Sequence, residues 1–246
     1  MAASTDWGRA VIIRSYNRAQ AVILRSYNCE DAAISANTQH GNTPGPKFTR
    51  DLPESRRQQL IEATARCLAR DGLAGTSVRH VAAEAGVSPG LVRHHFDGMQ
   101  DLIAETYRAT GKQIAAILDA ALAAAGPSAE ARLHAFVETS FKPPLLDADL
   151  LAVWLAFWSL TRTDPQIHAI HAKVYAGYRR QLEAMIADLA REQGLALEAR
   201  QAALALTALL DGLWLEHCLD PKTFSAAEAA AIGHRWIDGL QKGLFA

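Results

Sequence analysis

Arg93, His94 and His95 stand side by side near the end of the stretch Ser77 to Phe96. A guanidinium can donate to a guanine edge or to a phosphate, and imidazoles can donate to phosphate oxygens. Ser77 and Arg79 open the same stretch, where they can touch a nucleic-acid backbone and fix register. Arg56 and Arg57 lie upstream, as a basic arm that could reach phosphates or a minor groove. His80 has two readings, a phosphate contact or a solvated surface side chain. A second set of residues points to different chemistry. Trp154 and Trp158 are four apart and share one face of a helix, while Phe141, Tyr175, Tyr178 and Trp214 offer aromatic faces from other segments. Aromatic faces attract quaternary ammonium groups by ~0.5–2 kcal/mol each, depending on desolvation. Asp211 or Glu216 could add a counter-charge. The competing reading of the tryptophans is ordinary core packing. His168 and His171 are three apart, but no third ligand accompanies them, and no metal is expected.

Two short helices must hold the first set. Thr76 or Ser77 can cap the first, whose inner face is Val78, Val81, Ala82 and Ala85. The alanines let a second helix cross closely. Gly86 supplies the freedom for a sharp turn. Ser88 caps the second helix, Pro89 occupies its first turn, and Val87 with Val92 makes a hydrophobic staple. Leu91 and Val92 then point inward. Pro89, Gly90, Arg93 and His94 are left outward, with Gly90 permitting close approach to a major groove. The spacing predicts a helix-turn-helix from Ser77 to Phe96. A helical hairpin without a DNA role is the bland alternative.

Around this motif the pattern is helical throughout. A helix is predicted from about Pro53 to Arg70, with Leu60, Ile61, Thr64 and Leu68 on one face and Asp71-Gly72 at its end. Further breaks fall at Gly126-Pro127, Pro143-Pro144, Asp164-Pro165, Gly194 and Asp220-Pro221. No segment alternates with period two, so the expected fold class is all-α. Half of the 246 residues are apolar, enough for a sizeable core, and the formal net charge is -1. Any basic surface must therefore be local. Cys29, Cys67 and Cys218 are far apart and form no CxxC pair, which suggests neither disulfides nor zinc. No apolar run reaches the roughly 18 residues of a membrane span, and no signal peptide is evident, so the expected location is the cytoplasm, with no membrane partner.

Residues 1–49 stand apart. Ala10 to Asn17 is nearly repeated at Ala21 to Asn28, and a polar stretch from Asn37 to Pro46 follows. The expectation is a poorly ordered extension. Its repeat is also compatible with regulatory DNA translated from a start codon set too far upstream, which a native peptide covering Val11 to Arg25 would exclude.

The stretch from Arg56 through Leu102 resembles the DNA-binding domain of the TetR family of bacterial repressors, in Thr76-Ser77-Val78, Ala82, Ala85-Gly86-Val87-Ser88, Gly90 and His95-Phe96. The resemblance implies a three-helix DNA-binding domain over residues 50–110, a helical-bundle ligand-binding and dimerisation domain over 111–246, and a homodimer on a near-palindromic operator of double-stranded DNA. One departure stands at Met99, where the family commonly carries Lys; one phosphate contact is lost there, which weakens affinity and flattens salt dependence. Ala152 to Trp158, Ala208 to Leu215 and Arg56 to Thr64 resemble the BetI branch, whose members sense choline and repress betaine synthesis. That likeness implies a small-molecule effector, choline or a related quaternary amine, and pairing through the last two helices, about Glu198 to Leu219 and Ser225 to Leu244. The helix from about Met99 to Ala124 would be the lever between domains. A polyamine, a lipid or a drug-like cation is the alternative effector. No nucleophile elbow, phosphate loop or metal motif is present, so neither an enzyme nor a cofactor is expected. A helical adaptor without DNA is the remaining rival.

Overall fold

Serine and aspartate set the helix starts. The computed structural model describes residues 53–243, and every regular element there is a helix. The near repeat, Cys29 and the polar linker lie outside the described residues. The elements are α1 (Pro53–Gly75), α2 (Val78–Glu84), α3 (Pro89–His95), α4 (Met99–Ala124), α5 (Ala129–Ser140), α6 (Ala148–Leu160), α7 (Pro165–Gln193), α8 (Ala199–Leu219) and α9 (Ala226–Leu240). Ser77, Ser88, Ser128, Asp147, Asp164 and Ser225 each accept a backbone N–H from the first turn of the helix they precede. Such caps satisfy donors that would otherwise be orphaned. At α9 Glu228 reciprocates, completing a capping box.

The predicted breaks all coincide with helix ends, and Gly194 takes the left-handed conformation after α7 (φ 67°). The end of α1 differs. Gly72 does leave helical geometry, at φ 64° and ψ -174°, but the chain turns once more as helix to Gly75. Leu73 lies in that extra turn and packs against the core beneath α6, which draws the chain onward. The last helix ends at Leu240 rather than Leu244, followed by a turn.

Three apolar clusters hold the fold. Leu60, Ala63, Cys67, Val81, Ala82, Val92, Phe96 and Leu102 bind α1, α2, α3 and the start of α4. Leu68, Tyr107, Trp154, Phe157, Ile167 and Ile170 join α1 and α4 to α6 and α7. The largest cluster, built on Leu133, Phe136, Ile186, Leu189, Leu206 and Ile237, joins α5, α7, α8 and α9. The residue 110 boundary expected from the family therefore falls inside the unbroken α4. Two glycines mark tight crossings. A Cβ on Gly111 would lie 2.9 Å from Val174 Cγ2, and one on Gly233 would lie 2.6 Å from Val137 Cγ1. These contacts bring α4 against α7 and α9 against α5. Among the described helices α8 alone has the length and apolarity of a membrane span, and Leu204 and Leu219 are exposed on it.

Candidate functional site

The helix pair α2 and α3 is built as its sequence dictates. Ser77 Oγ accepts from His80 N–H at 3.3 Å and Ser88 Oγ from Leu91 N–H at 3.3 Å. Gly86 sits between the helices at φ 66°, where a side chain would be strained. Val81, Ala82 and Val92 are buried, with Val78, Ala85 and Val87 packed against them. Arg79, Ser88, Pro89, Gly90, Arg93 and His94 are exposed, while Ser77, His95, Arg56 and Arg57 are half-buried. Arg93 and His94 thus stand on the outer side of α3, next to the bare backbone at Gly90.

The upstream basic residues are used differently. Arg57 bonds Glu105 on α4, and its guanidinium lies over the Phe96 ring, 5.0 Å from the centroid. It ties α1 to the end of α3 and to α4. Burial raises the Glu105 carboxyl, but Arg57 and Arg108 outweigh it and hold it below the ordinary carboxylate range. Arg56 donates to Gln59 at 3.0 Å. Arg66 and Arg70 close on Glu84 at 2.7 and 2.8 Å and lock α2 to α1. His80 Nδ1 meets the Gly75 carbonyl. Met99 packs between the first two apolar clusters.

A cavity of about 100 Å³ lies in the body of the protein. Trp154, Tyr175, Tyr178, Asp211 and Trp214 all line it. Trp154 Nε1 donates to the Tyr175 hydroxyl at 3.3 Å, and Trp214 Nε1 donates to the Leu145 carbonyl at 2.8 Å. Both indoles are thereby fixed with apolar surface toward the space. Tyr178 packs edge-on to Phe136, ring centroids 5.0 Å apart. Burial pushes the Asp211 carboxyl up to about 6, against the opposing pull of the Tyr175 hydroxyl and of Arg179. The Arg179 guanidinium lies over the Tyr175 ring at 5.9 Å, and no ion pair closes on Asp211 among the described residues.

Two expected ligand residues stand elsewhere. Phe141 caps α5 and is buried in the largest cluster, 3% exposed. Trp158 packs, partly buried, against the cluster that joins α1 and α4 to α6 and α7, beside the Tyr175 hydroxyl, and is not itself a wall of the cavity. Glu216 and His168 are exposed, and His171 Nδ1 meets the buried Tyr107 hydroxyl at 2.9 Å. Other walls had escaped the sequence reading: Gly111, Ile114 and Leu118 from α4, Ser140, Leu145, Leu150, Val174 and Leu210. Gly111 carried a usable signal, a glycine in the middle of a long helix. The aliphatic residues carried none that separates cavity wall from core. No cluster of three metal-ligating side chains occurs among the described residues.

Residues 60–106 match the model of bacterial regulatory proteins of the tetR family, and residues 127–242 match that of the BetI-type transcriptional repressor C-terminal domain. The HTH-type transcriptional regulator BetI of Burkholderia thailandensis is 35% identical over 189 residues, covering 77% of this chain and 95% of its own. The chain belongs to the TetR family, as a transcriptional repressor of the BetI type. This regulator is not an enzyme, since its relatives are transcriptional regulators. Among solved structures, a transcriptional regulator from Pseudomonas aeruginosa PAO1 superposes with a TM-score of 0.75 at 45% identity, over 80% of this chain and 95% of that one. A regulator from Saccharomonospora viridis, solved in complex with choline, superposes at 0.68 with 25% identity, over 75% of this chain and 96% of that one.

Proposed function

We propose that this regulator is a homodimeric repressor released from its operator by choline or a closely related quaternary amine, and that it controls betaine synthesis. The observation that carries the effector assignment is Asp211, a largely buried carboxylate in an aromatic-walled cavity on which no ion pair closes among the described residues, Arg179 acting on it only from a distance. A buried charge is costly unless paired. An alkylammonium ion supplies the missing charge and presents methyl groups to Trp154, Tyr175, Tyr178 and Trp214. The choline complex of the Saccharomonospora relative supports the same chemistry. The cavity volume of about 100 Å³ favours a compact ligand. Drug-sized ligands occupy roughly 300–1,000 Å³, so a lipid or drug-like cation is the less favoured alternative.

On DNA, α3 enters the major groove with Arg93 and His94, while Arg79, Ser88 and neighbouring backbone meet phosphates. Residues 50–110 form the reading domain and 111–246 the sensing and pairing domain. The exposed apolar side of α8, with Leu204 and Leu219, joins α9 in covering the second subunit, and the protein works in the cytoplasm. The two α3 helices then lie about 34–36 Å apart, one turn of DNA. Effector binding at the walls given by α4 and α6 disfavours that spacing, with a coupling of ~1–3 kcal/mol.

The test is fluorescence anisotropy of the full chain on its own upstream DNA, with and without millimolar choline. Release by choline supports the reading. Tight binding that ignores choline keeps the repressor and discards the effector.

A further inference from the structure

Tyr175, a wall of the cavity, also carries a cation that is not one of its walls. Tyr175 and Arg179 are one turn apart on α7 and share a side of that helix. The Arg179 guanidinium lies over the Tyr175 ring, 5.9 Å from the centroid. The Tyr175 hydroxyl accepts from Trp154 Nε1 at 3.3 Å and acts in turn on Asp211 of α8. His171 lies against the same ring, centroids 4.4 Å apart. Arg179 is half-buried, and no carboxylate closes on it among the described residues.

The charges at this corner are few. Asp211 is the sole charged side chain among the cavity walls. Burial first, then His168 and Arg179, holds the His171 imidazole below the ordinary histidine range, so it is neutral above pH 7. A guanidinium stays charged at any pH the protein meets. Of the two basic groups at Tyr175, Arg179 alone is therefore a fixed cation.

That cation acts on an entering one in two ways of the same sign. Like charges repel, and a half-buried pair is screened less than a pair at the open surface. The Tyr175 ring attracts cations through its negative face, and the guanidinium already draws on that attraction. Both effects weaken the grip on a positively charged ligand, and neither acts on a neutral ligand of the same shape. Because Arg179 faces the ring and does not close on Asp211, the cavity still keeps a net pull on a cation.

We propose that Arg179 is an affinity-setting residue of the effector site, a resident cation stacked on Tyr175 beside the cavity that weakens the binding of positively charged effectors. It raises the effector concentration at which the repressor lets go. This role rests on the effector being a cation, as proposed above, and not on its being choline in particular.

The experiment is calorimetry on the full chain at pH 8, where Asp211, with its carboxyl at about 6, is ionised. The probes are choline and its neutral carbon isostere, tert-butylethanol, in which a quaternary carbon replaces the nitrogen. Arg179→Met keeps an aliphatic stem and removes the charge; Arg179→Lys keeps the charge. Arg179→Met should bind choline about threefold to tenfold more tightly than wild type, and the isostere with unchanged affinity. Arg179→Lys should match wild type toward both. Operator release by Arg179→Met, followed by anisotropy, should move to lower choline by the same factor. Choline affinity that is unchanged or lower in Arg179→Met overturns the proposal and leaves the effector standing. An equal gain for both probes also overturns it, by making Arg179 a packing residue only. If neither wild type nor Arg179→Met binds choline, the choline effector falls first, and this role for Arg179 falls with it.

Discussion

The α2–α3 pair and the cavity use polar groups in opposite ways. On the helix pair the polar residues are either consumed locally or left to water. Ser77 and Ser88 cap their own helices, Glu84 is held by two arginines, and Arg93 stands exposed. In the cavity a carboxylate is largely buried, and the Tyr175 hydroxyl and Arg179 offset only part of the cost. The first region is finished as a protein and offers a cation outward; the second, in the proposed function, takes one inward. Under the proposed function, partner and effector answer complementary deficits, a phosphate for the surface and an ammonium for the interior.

Asp211→Asn should break this contrast most. Removing one member of a buried charge pair costs about 3–5 kcal/mol, so choline affinity should fall a hundredfold or more by calorimetry, with operator binding intact. The same variant should be more stable without ligand. The folded carboxyl sits at about 6, above its unfolded value, so its ionisation penalty is absent below the unfolded value, grows as pH rises and is complete above about 6. Ablating it should raise the melting temperature at pH 7.5 but not at pH 4. An unchanged melting temperature at pH 7.5 would show that Asp211 is not strained.

Arg93→Ala comes next. Loss of a bidentate base contact costs ~1–3 kcal/mol, roughly a tenfold to hundredfold loss of operator affinity, while size-exclusion chromatography should show the same oligomer. Equal operator affinity would remove Arg93 from the interface. Acidification should then sharpen the comparison. Because a cation needs the carboxylate, choline affinity should drop about tenfold per pH unit below about 6, and this slope should vanish in Asp211→Asn. The smallest effect belongs to Ser88→Ala, which removes the α3 cap and should cost ~1 kcal/mol of stability by denaturant titration.

These two regions also differed in how far the sequence disclosed them. Capping, the Gly86 turn and the outward set Pro89, Gly90, Arg93 and His94 depend on neighbours a few residues away, so spacing alone placed them. Arg57 went the other way: proximity in sequence suggested DNA, but Glu105 and Phe96, far along the chain, claim its guanidinium. The cavity is assembled from α4, α5, α6, α7, α8 and the turn at Leu145. Helical spacing put Trp154 and Trp158 on one face, and both reach Tyr175, yet only Trp154 lines the cavity. Aromatic character found Trp154, Tyr175, Tyr178 and Trp214; shape, which only tertiary packing creates, decided most of the other walls. The extra turn after Gly72 was hidden for a similar reason, because Leu73 is drawn in by α6.

Arg57 ties α1 to Phe96 at the end of α3 and to Glu105 on α4, so the proposed reading head is joined as one unit. An effector acting on such a unit can tilt it but cannot reshape the face that meets the bases. In the proposed dimer, release then comes from misalignment of two intact heads. A DNA carrying a single half-site should bind with the same weak affinity whether choline is present or not, and only a full operator should feel the effector.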